Sequence, residues 1–330
     1  MTSGETSTIK TISVVIPVYS GASTLGPLLA EIEPLTTQVA TPRGVSFRVV
    51  EVILVDDGGT DGSDGVIASL ASRLPFVRAV WLSRNYGQHA ATLAGMASSA
   101  GDWVVTLDED GEHDPQDIAR LLDIAVDTGS QLVYARPTNA PGHGVVRNSF
   151  SAMTKWIFRN MLGHAHMGEF HSFRLIEGEI ARGLAAYCGH GVYLDVALSW
   201  IVAWAAGCPV VLRTAGGRPS SYSFSKLARH FWHLVLSSGT APLRFVAALG
   251  IASIVLGVLV SAFVIWRKLS GSLAVPGWAS LLIMLSLFSG LILFSLGVLA
   301  EYMAVTVRMA LGKPLYMITS HPSRGGPRAP

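Results

Sequence analysis

The sequence predicts an α/β domain with a mostly parallel sheet, followed by two apolar helices long enough to cross a membrane. Three observations predict it. Short apolar runs alternate with stretches of helical periodicity over the first 135 or so residues, the pattern of a parallel sheet covered on both faces. Several of those runs end in acidic or polar clusters, and such sheets bind ligands beyond the carboxyl ends of their strands. Val246 to Trp266 and Ala279 to Ala300 carry no charge.

The composition agrees. The chain has 330 residues, is 50% hydrophobic and only 14% charged, with mean hydropathy +0.45. That is too apolar for an ordinary soluble enzyme. A net charge of +2 argues against a nucleic-acid partner. Cys188 and Cys208 have no metal-site spacing and no disulfide framework, which fits a reducing compartment. No apolar run follows Met1, so no signal peptide is expected.

In chain order, Ile12 to Ile16 reads as a strand that leaves through Pro17, Val18 and Tyr19. Leu25, Leu28, Leu29 and Ile32 give the first helix its apolar face. Thr36 to Gly44 reads as a polar loop, and Val49 to Val55 as a strand ending at Asp56 and Asp57. Val66 to Leu74 is helical. Val77 to Leu82 is a strand followed by Ser83, Arg84, Asn85, Tyr86 and Gly87. His89 to Ala100 is a helix of small residues, and the Val104 strand ends at Asp108, Glu109 and Asp110, with Glu112, His113 and Asp114 behind. Ile118, Leu121, Leu122 and Ala125 face one more helix inward, and Leu132 to Ala135 is a further strand.

Carboxylates crowded past a strand end repel one another unless a cation neutralises them. Hard oxygens suit Mg²⁺ or Mn²⁺, which take one or two protein carboxylates and fill the rest with phosphate oxygens and water. Asp108 and Asp110, two apart, point the same way in an extended segment. A bare D-x-D is equally what an acidic turn ahead of a helix looks like.

The ordered set of motifs narrows this. IPVY at Ile16 to Tyr19, VDDGGTDG at Val55 to Gly62, LSRNYG at Leu82 to Gly87 and DEDGEHDP at Asp108 to Pro115 resemble the family 2 glycosyltransferases of the GT-A fold. The similarity is to their polyprenyl-phosphate branch, which is dolichol-phosphate-mannose-synthase-like. It continues in SFRL from Ser172, RPSSYS from Arg218, TAPLR from Thr240, PGW from Pro276, LAEY from Leu299 and GKPLY from Gly312.

The resemblance implies a GT-A domain over 11–222, after a flexible 1–10. It implies a juxtamembrane amphipathic segment over 223–244, two transmembrane helices within 245–303 and a cytoplasmic tail over 304–330. It places the nucleotide against Pro17, Val18, Tyr19, Asp56, Asp57, Ser83, Arg84, Asn85, Gly87, Asp108 and Glu109. The metal, Mg²⁺ or Mn²⁺, would sit on Asp108, Asp110 and Glu112, where Glu112 replaces a common Gln. Gly59 stands where Ser is usual, which reads as a minor change. Ser172 stands where many members carry an Asp before Phe-Arg, often assigned as the catalytic carboxylate. The catalytic groups are therefore expected among Asp110, Arg174, Glu169 and Asp195.

The acceptor implied is polyprenyl phosphate, met by Arg136, Arg147, Ser151, Arg218, Ser221 and Tyr222. Phe150 to Leu162 and Phe224 to Leu236 mix aromatic and basic residues as interface helices do, and as amphipathic core helices also do. The implied donor is a nucleotide-diphosphate sugar, UDP ahead of GDP.

Each uncharged span is about 21 residues, enough for roughly 30 Å of hydrocarbon. Lys226, Arg229 and Arg244 precede them and Arg308, Lys313, Arg324 and Arg328 follow, so both flanks are expected in the cytoplasm. Arg267 and Lys268, read as the short loop, run against that rule. Gly290, Gly297, Ser286 and Ser289 offer small faces for helix contact, within the hairpin or in a homo-oligomer. The tail from Ser320 reads as disordered.

The function expected is transfer of a sugar to polyprenyl phosphate at the cytoplasmic membrane, with inversion, for envelope glycan or glycolipid assembly. A polysaccharide synthase of the same fold would carry a Q-x-x-R-W motif, and this chain has none. A channel would need charged residues in its spans. A silent scaffold that binds nucleotide sugar stays open because of Ser172.

Overall fold

The computed structural model describes residues 9–139, 171–189, 193–213, 241–270, 277–312 and 314–322. The chain divides into two compact units, 1–221 with 314–330, and 222–313.

The first unit is a nine-stranded mixed sheet with helices on both faces. Its elements are β1 (Lys10–Val18), α1 (Leu25–Ile32), β2 (Val39–Ala40), β3 (Ser46–Asp56), α2 (Ser63–Arg73), β4 (Val77–Leu82) and α3 (Gln88–Ala97). Then come β5 (Trp103–Thr106), α4 (Asp117–Thr128), β6 (Leu132–Pro137), β7 (Arg174–Glu177), α5 (Gly178–Tyr187), α6 (Leu194–Ile201), β8 (Ala206–Val210) and β9 (Ile318–Thr319). The strand order is β8-β6-β7-β5-β1-β3-β4-β9, with β2 on β3.

β1 lies between β3 and β5 and is parallel to both. It is buried on two faces, which is why its sequence is a near-continuous apolar run. Ile12, Val14, Ile16 and Val18 pack toward α1 and α4, while Val15 packs toward α3. The order steps outward from β1 through β3 and β4, then resumes on its other side with β5. That reversal makes the β1–β5 crevice the topological switch point, where open α/β sheets bind ligands. β1 pairs with β5 only as far as Val15 and Thr106. Beyond them the two strands part, and Pro17 and Asp108 flank the opening.

The sheet departs from the sequence reading in three places. β7 runs antiparallel between β5 and β6, so the mostly parallel sheet carries one reversed strand at its heart. Leu175 and Ile176 are fully buried there, one on each face. β2 occupies part of the expected loop from Thr36 to Gly44. At the other end, Ile318 and Thr319 pair antiparallel with Leu82 and Trp81. Leu315 and Tyr316 pack against the core, so residues after the last long helix complete the sheet edge.

The second unit contains α7 (Ala241–Leu269) and α8 (Trp278–Ala310), which touch each other. Both are long and apolar enough to cross a membrane, over Val246–Phe263 and Leu287–Val307, with mean hydropathy 2.5 and 1.9. Arg267 and Lys268 belong to α7 and not to a loop. Helical hydrogen bonding continues past the apolar stretch, the Ser270 N–H donating to the Trp266 carbonyl (3.0 Å).

Candidate active site

The switch-point crevice holds a cavity of about 530 Å³ lined by Pro17, Val18, Tyr19, Asp57, Asn85, Gly87, Gln88, Asp108, Glu109, Asp110 and Glu112. Four loops, after the parallel strands β1, β3, β4 and β5, build it.

The loop after β3 places two consecutive Asp residues at a strand end, where alternate side chains face opposite ways. Asp57 lines the cavity. Its carboxylate accepts the N–H groups of Tyr86 (2.7 Å) and Gly87 (2.9 Å) and so fastens the loop after β4. Asp56 lines neither of the two cavities described here; it is buried, and one oxygen, Oδ1, has no partner among the described residues. Burial raises its pKa to about 6, against the opposing pull of the Gly59 and Gly58 amides. Of the loop after β4, Asn85 and Gly87 reach the cavity. Ser83 hydrogen-bonds the Tyr86 hydroxyl (2.9 Å), and Arg84 lies over the Tyr86 ring at 4.2 Å. Gln88 opens α3 and donates to Asp108 (2.6 Å). The LSRNYG motif ends at Gly87, one residue short of it.

Past β5, Asp108 also accepts a bond from the Ser172 hydroxyl. The Ser172 carbonyl in turn accepts from Thr106. Gly111, at φ 74°, lets the chain turn sharply after Asp110, and Asp110 accepts the Glu112 N–H (3.0 Å). Burial, then the charges of Asp110 and Asp108, push the Glu112 carboxyl above its ordinary range. Arg213, which the sequence reading passed over, holds this turn from outside. Its N–H donates to the Glu112 carbonyl (2.9 Å), and its guanidinium meets Glu31 (2.6 Å) and Asp114 (2.9 Å).

Beside that turn, the His113 and His171 rings meet edge to face at 5.1 Å. His113 Nδ1 is buried without a partner among the described residues. Burial, then the neighbouring His113, lowers the His171 pKa to about 4. Among the described residues no three His, Cys, Asp or Glu side chains converge closely enough to cage an ion alone. The donor set instead fits a cation that draws one or two carboxylates from protein: Asp108, Asp110 and Glu112 share one open cavity.

Behind Asp108 lies a smaller cavity of about 110 Å³, lined in part by Thr106, His171, Ser172, Arg174 and Asp195. Arg174 and Asp195 form a buried ion pair. Tyr134 donates to the same Asp195 carboxylate (2.9 Å), and Arg174 donates to Thr106 (3.2 Å). Two of the four residues expected to be catalytic are thus tied to each other at the cavity wall. Arg136 is exposed within β6, beside Gly207, and lines neither cavity. Glu169, Arg147, Ser151, Arg218, Ser221 and Tyr222 lie outside the described residues.

The profile described as Glycosyl transferase family 2 matches residues 13–184, just over half of the chain. The chain belongs to glycosyl transferase family 2. That match runs from within β1 through β7 and the greater part of α5, and so covers all four cavity loops. An undecaprenyl-phosphate 4-deoxy-4-formamido-L-arabinose transferase of Klebsiella pneumoniae is 29% identical over 317 residues, 94% of this chain and 93% of its own. A protein of the same description from Pseudomonas aeruginosa is 29% identical over 323 residues, 94% of this chain and 90% of its own. Among solved structures, mannosyl-3-phosphoglycerate synthase from Rubrobacter xylanophilus matches with a TM-score of 0.48 and 19% identity, over 69% of this chain and 73% of that one.

Proposed function

We propose that this family 2 protein is a membrane-anchored glycosyltransferase that moves a sugar from a nucleotide-diphosphate sugar to polyprenyl phosphate. The observation that carries the proposal is the carboxylate-lined cavity at the switch point of a family 2 domain. The undecaprenyl-phosphate sugar transferases support the acceptor class, because their similarity runs through both long apolar helices.

On this reading Pro17, Val18, Tyr19, Asp57, Asn85 and Gly87 meet the nucleotide, UDP ahead of GDP. Asp56, Ser83 and Arg84 support those loops from behind. Asp108, Asp110 and Glu112 hold Mg²⁺ or Mn²⁺, which offsets charge on the leaving diphosphate. The acceptor is a phosphate monoester whose second pKa is about 6 by analogy with phosphoserine. It is largely ionised at neutral pH and needs no strong base, so Ser172 is compatible with turnover. Direct attack of that phosphate inverts the sugar. Arg136, Arg147 and Arg218, with Ser151, Ser221 and Tyr222, hold the dianion. The catalytic domain and both chain ends lie on the cytoplasmic side of the inner membrane, and the two apolar helices cross it.

The test is a panel of nucleotide sugars offered to the purified protein with undecaprenyl phosphate in lipid vesicles, with Mg²⁺ or Mn²⁺. A labelled prenyl-phosphate sugar from one donor is the expected result. Nucleotide binding without product would favour the scaffold reading that Ser172 leaves open.

A further inference from the structure

The middle residue of the D-x-D turn is placed differently from its neighbours. Glu109 turns toward β1, and its carboxylate accepts the N–H of Tyr19 (3.0 Å) and the N–H of Ser20 (2.9 and 3.1 Å to its two oxygens). These partners are about 90 residues away in sequence. The approach is close enough that a Cβ on Gly21 would stand 2.6 Å from Glu109 Oε2.

The rest of the loop after β1 is held in the same fashion. Asp61 accepts the Ala22 N–H (3.0 Å). A Cβ on Gly59 would stand 2.1 Å from the Tyr19 carbonyl oxygen. The loop therefore rests on two carboxylates and one bare Cα. Bonds from amide N–H groups to an ionised carboxylate are among the stronger hydrogen bonds, and an amide left unpartnered here would carry a penalty.

We propose that Glu109 is a positioning residue that fastens the Tyr19–Ser20 loop to the D-x-D turn, so that the nucleotide end and the diphosphate end of the donor site keep a fixed register. This rests on the reading of that cavity as a nucleotide-sugar site. All three residues line the cavity, but Glu109 spends both oxygens on backbone amides, which leaves a cation to Asp108, Asp110 and Glu112. A shorter or apolar side chain at 109 leaves the turn and its cation in place and frees the loop.

The experiment uses full-length protein in lipid nanodiscs, with UDP and GDP as probes and Mn²⁺ present. Glu109→Ala, which removes the acceptor for both amides, is expected to weaken nucleotide binding by about 10- to 100-fold. Glu109→Gln, which keeps one acceptor oxygen, is expected to fall between Ala and wild type. Donor KM should rise in step while kcat at saturating donor stays within about threefold. The Mn²⁺ concentration for half-maximal activity should not move. Gly21→Ala, which presses on the same carboxylate from the other side, should raise donor KM too and covers the case in which the position 109 variants fail to fold. Unchanged nucleotide affinity in Glu109→Ala or, if that variant does not fold, in Gly21→Ala overturns the proposal. So does a shifted Mn²⁺ requirement, which would make Glu109 a ligand, or a fall in kcat with donor KM unchanged. Wild-type protein that binds neither nucleotide would remove the functional reading as well. Wild-type binding with indifferent variants would remove only the role of Glu109.

Discussion

The two units of this chain bury opposite things. In the sheet unit Leu54, Val55 and Ile176 are wholly enclosed, and buried polar groups such as Asp57, Tyr134 and Asp195 are hydrogen-bonded. In the helical unit the large apolar residues point outward: Ile254 is 68% exposed, Leu293 68% and Trp266 64%. A soluble protein does not present such a surface to water. The contrast teaches that one chain is built for two solvents. Apolar burial organises the first unit from within, and lipid would cover the second from without.

The largest effect expected comes from placing the same charge in both regions. Leu54→Arg puts an unpaired cation inside β3 and should yield no folded protein. Leu293→Arg should leave nucleotide binding intact but reduce membrane insertion, since Arg at a helix centre costs about 2.5–3.5 kcal/mol. Fractionation after carbonate extraction, beside UDP binding, reads both. Retention of the Leu293 variant at wild-type levels would break the comparison, because α8 would then not face lipid.

Next in size is the carboxylate turn, which belongs to the sheet unit alone. Asp110→Asn should lower turnover by at least about 100-fold. The variant should stay folded and membrane-bound. Excess EDTA should do the same to wild type. Full activity in either condition would remove the cation from the mechanism.

A smaller effect is expected at Gly59. In the sequence, Gly for the usual Ser reads as a minor change. Packing makes it consequential, because a Cβ there would meet the Tyr19 carbonyl at 2.1 Å. Gly59→Ser should therefore raise donor KM by about 10-fold through displacement of the Tyr19 loop, with acceptor KM unchanged. A silent substitution would mean the loop moves freely and would count against its fastening by Glu109.

These cases mark what could be read in advance. Strands β1, β3, β4, β5 and β6 were legible because each is an apolar run with turn chemistry at its end. β7 was not, since four residues, RLIE, carry too little periodicity and its pairing partners lie some 40 and 70 residues upstream. β9 was hidden for the same reason at greater distance, pairing with β4 across more than 230 residues. Within the site, a motif names residue types but not their directions. The Asp56-Asp57 pair reads as two equal carboxylates, yet only Asp57 lines the cavity. Glu109 reads as a nucleotide contact, yet its carboxylate bonds to a distant loop. Arg267 and Lys268 read as loop because hydropathy stops at Trp266, while the backbone helix runs on to Leu269.

The smallest effect tests the buried member of the Asp pair. Asp56 has an ordinary carboxylate pKa of 3.8 that burial raises to about 6 in the fold. The sign follows from linkage. Between those two values the folded protein holds a proton that the unfolded chain has released, so unfolding releases protons and stability falls as pH rises. The contribution is fully present below pH 3.8 and is lost as pH passes through about 6. Asp56→Asn removes the ionisation and keeps the shape. The difference in Tm, variant minus wild type, should thus become more positive as pH is raised from about 4 to about 7 and level off beyond it. Because Asp57 faces the cavity and Asp56 does not, nucleotide affinity at pH 7 should change little. A Tm difference that is flat across that range would mean Asp56 is ionised and solvated in the fold. A large loss of UDP binding would move Asp56 from the wall of the site into the site.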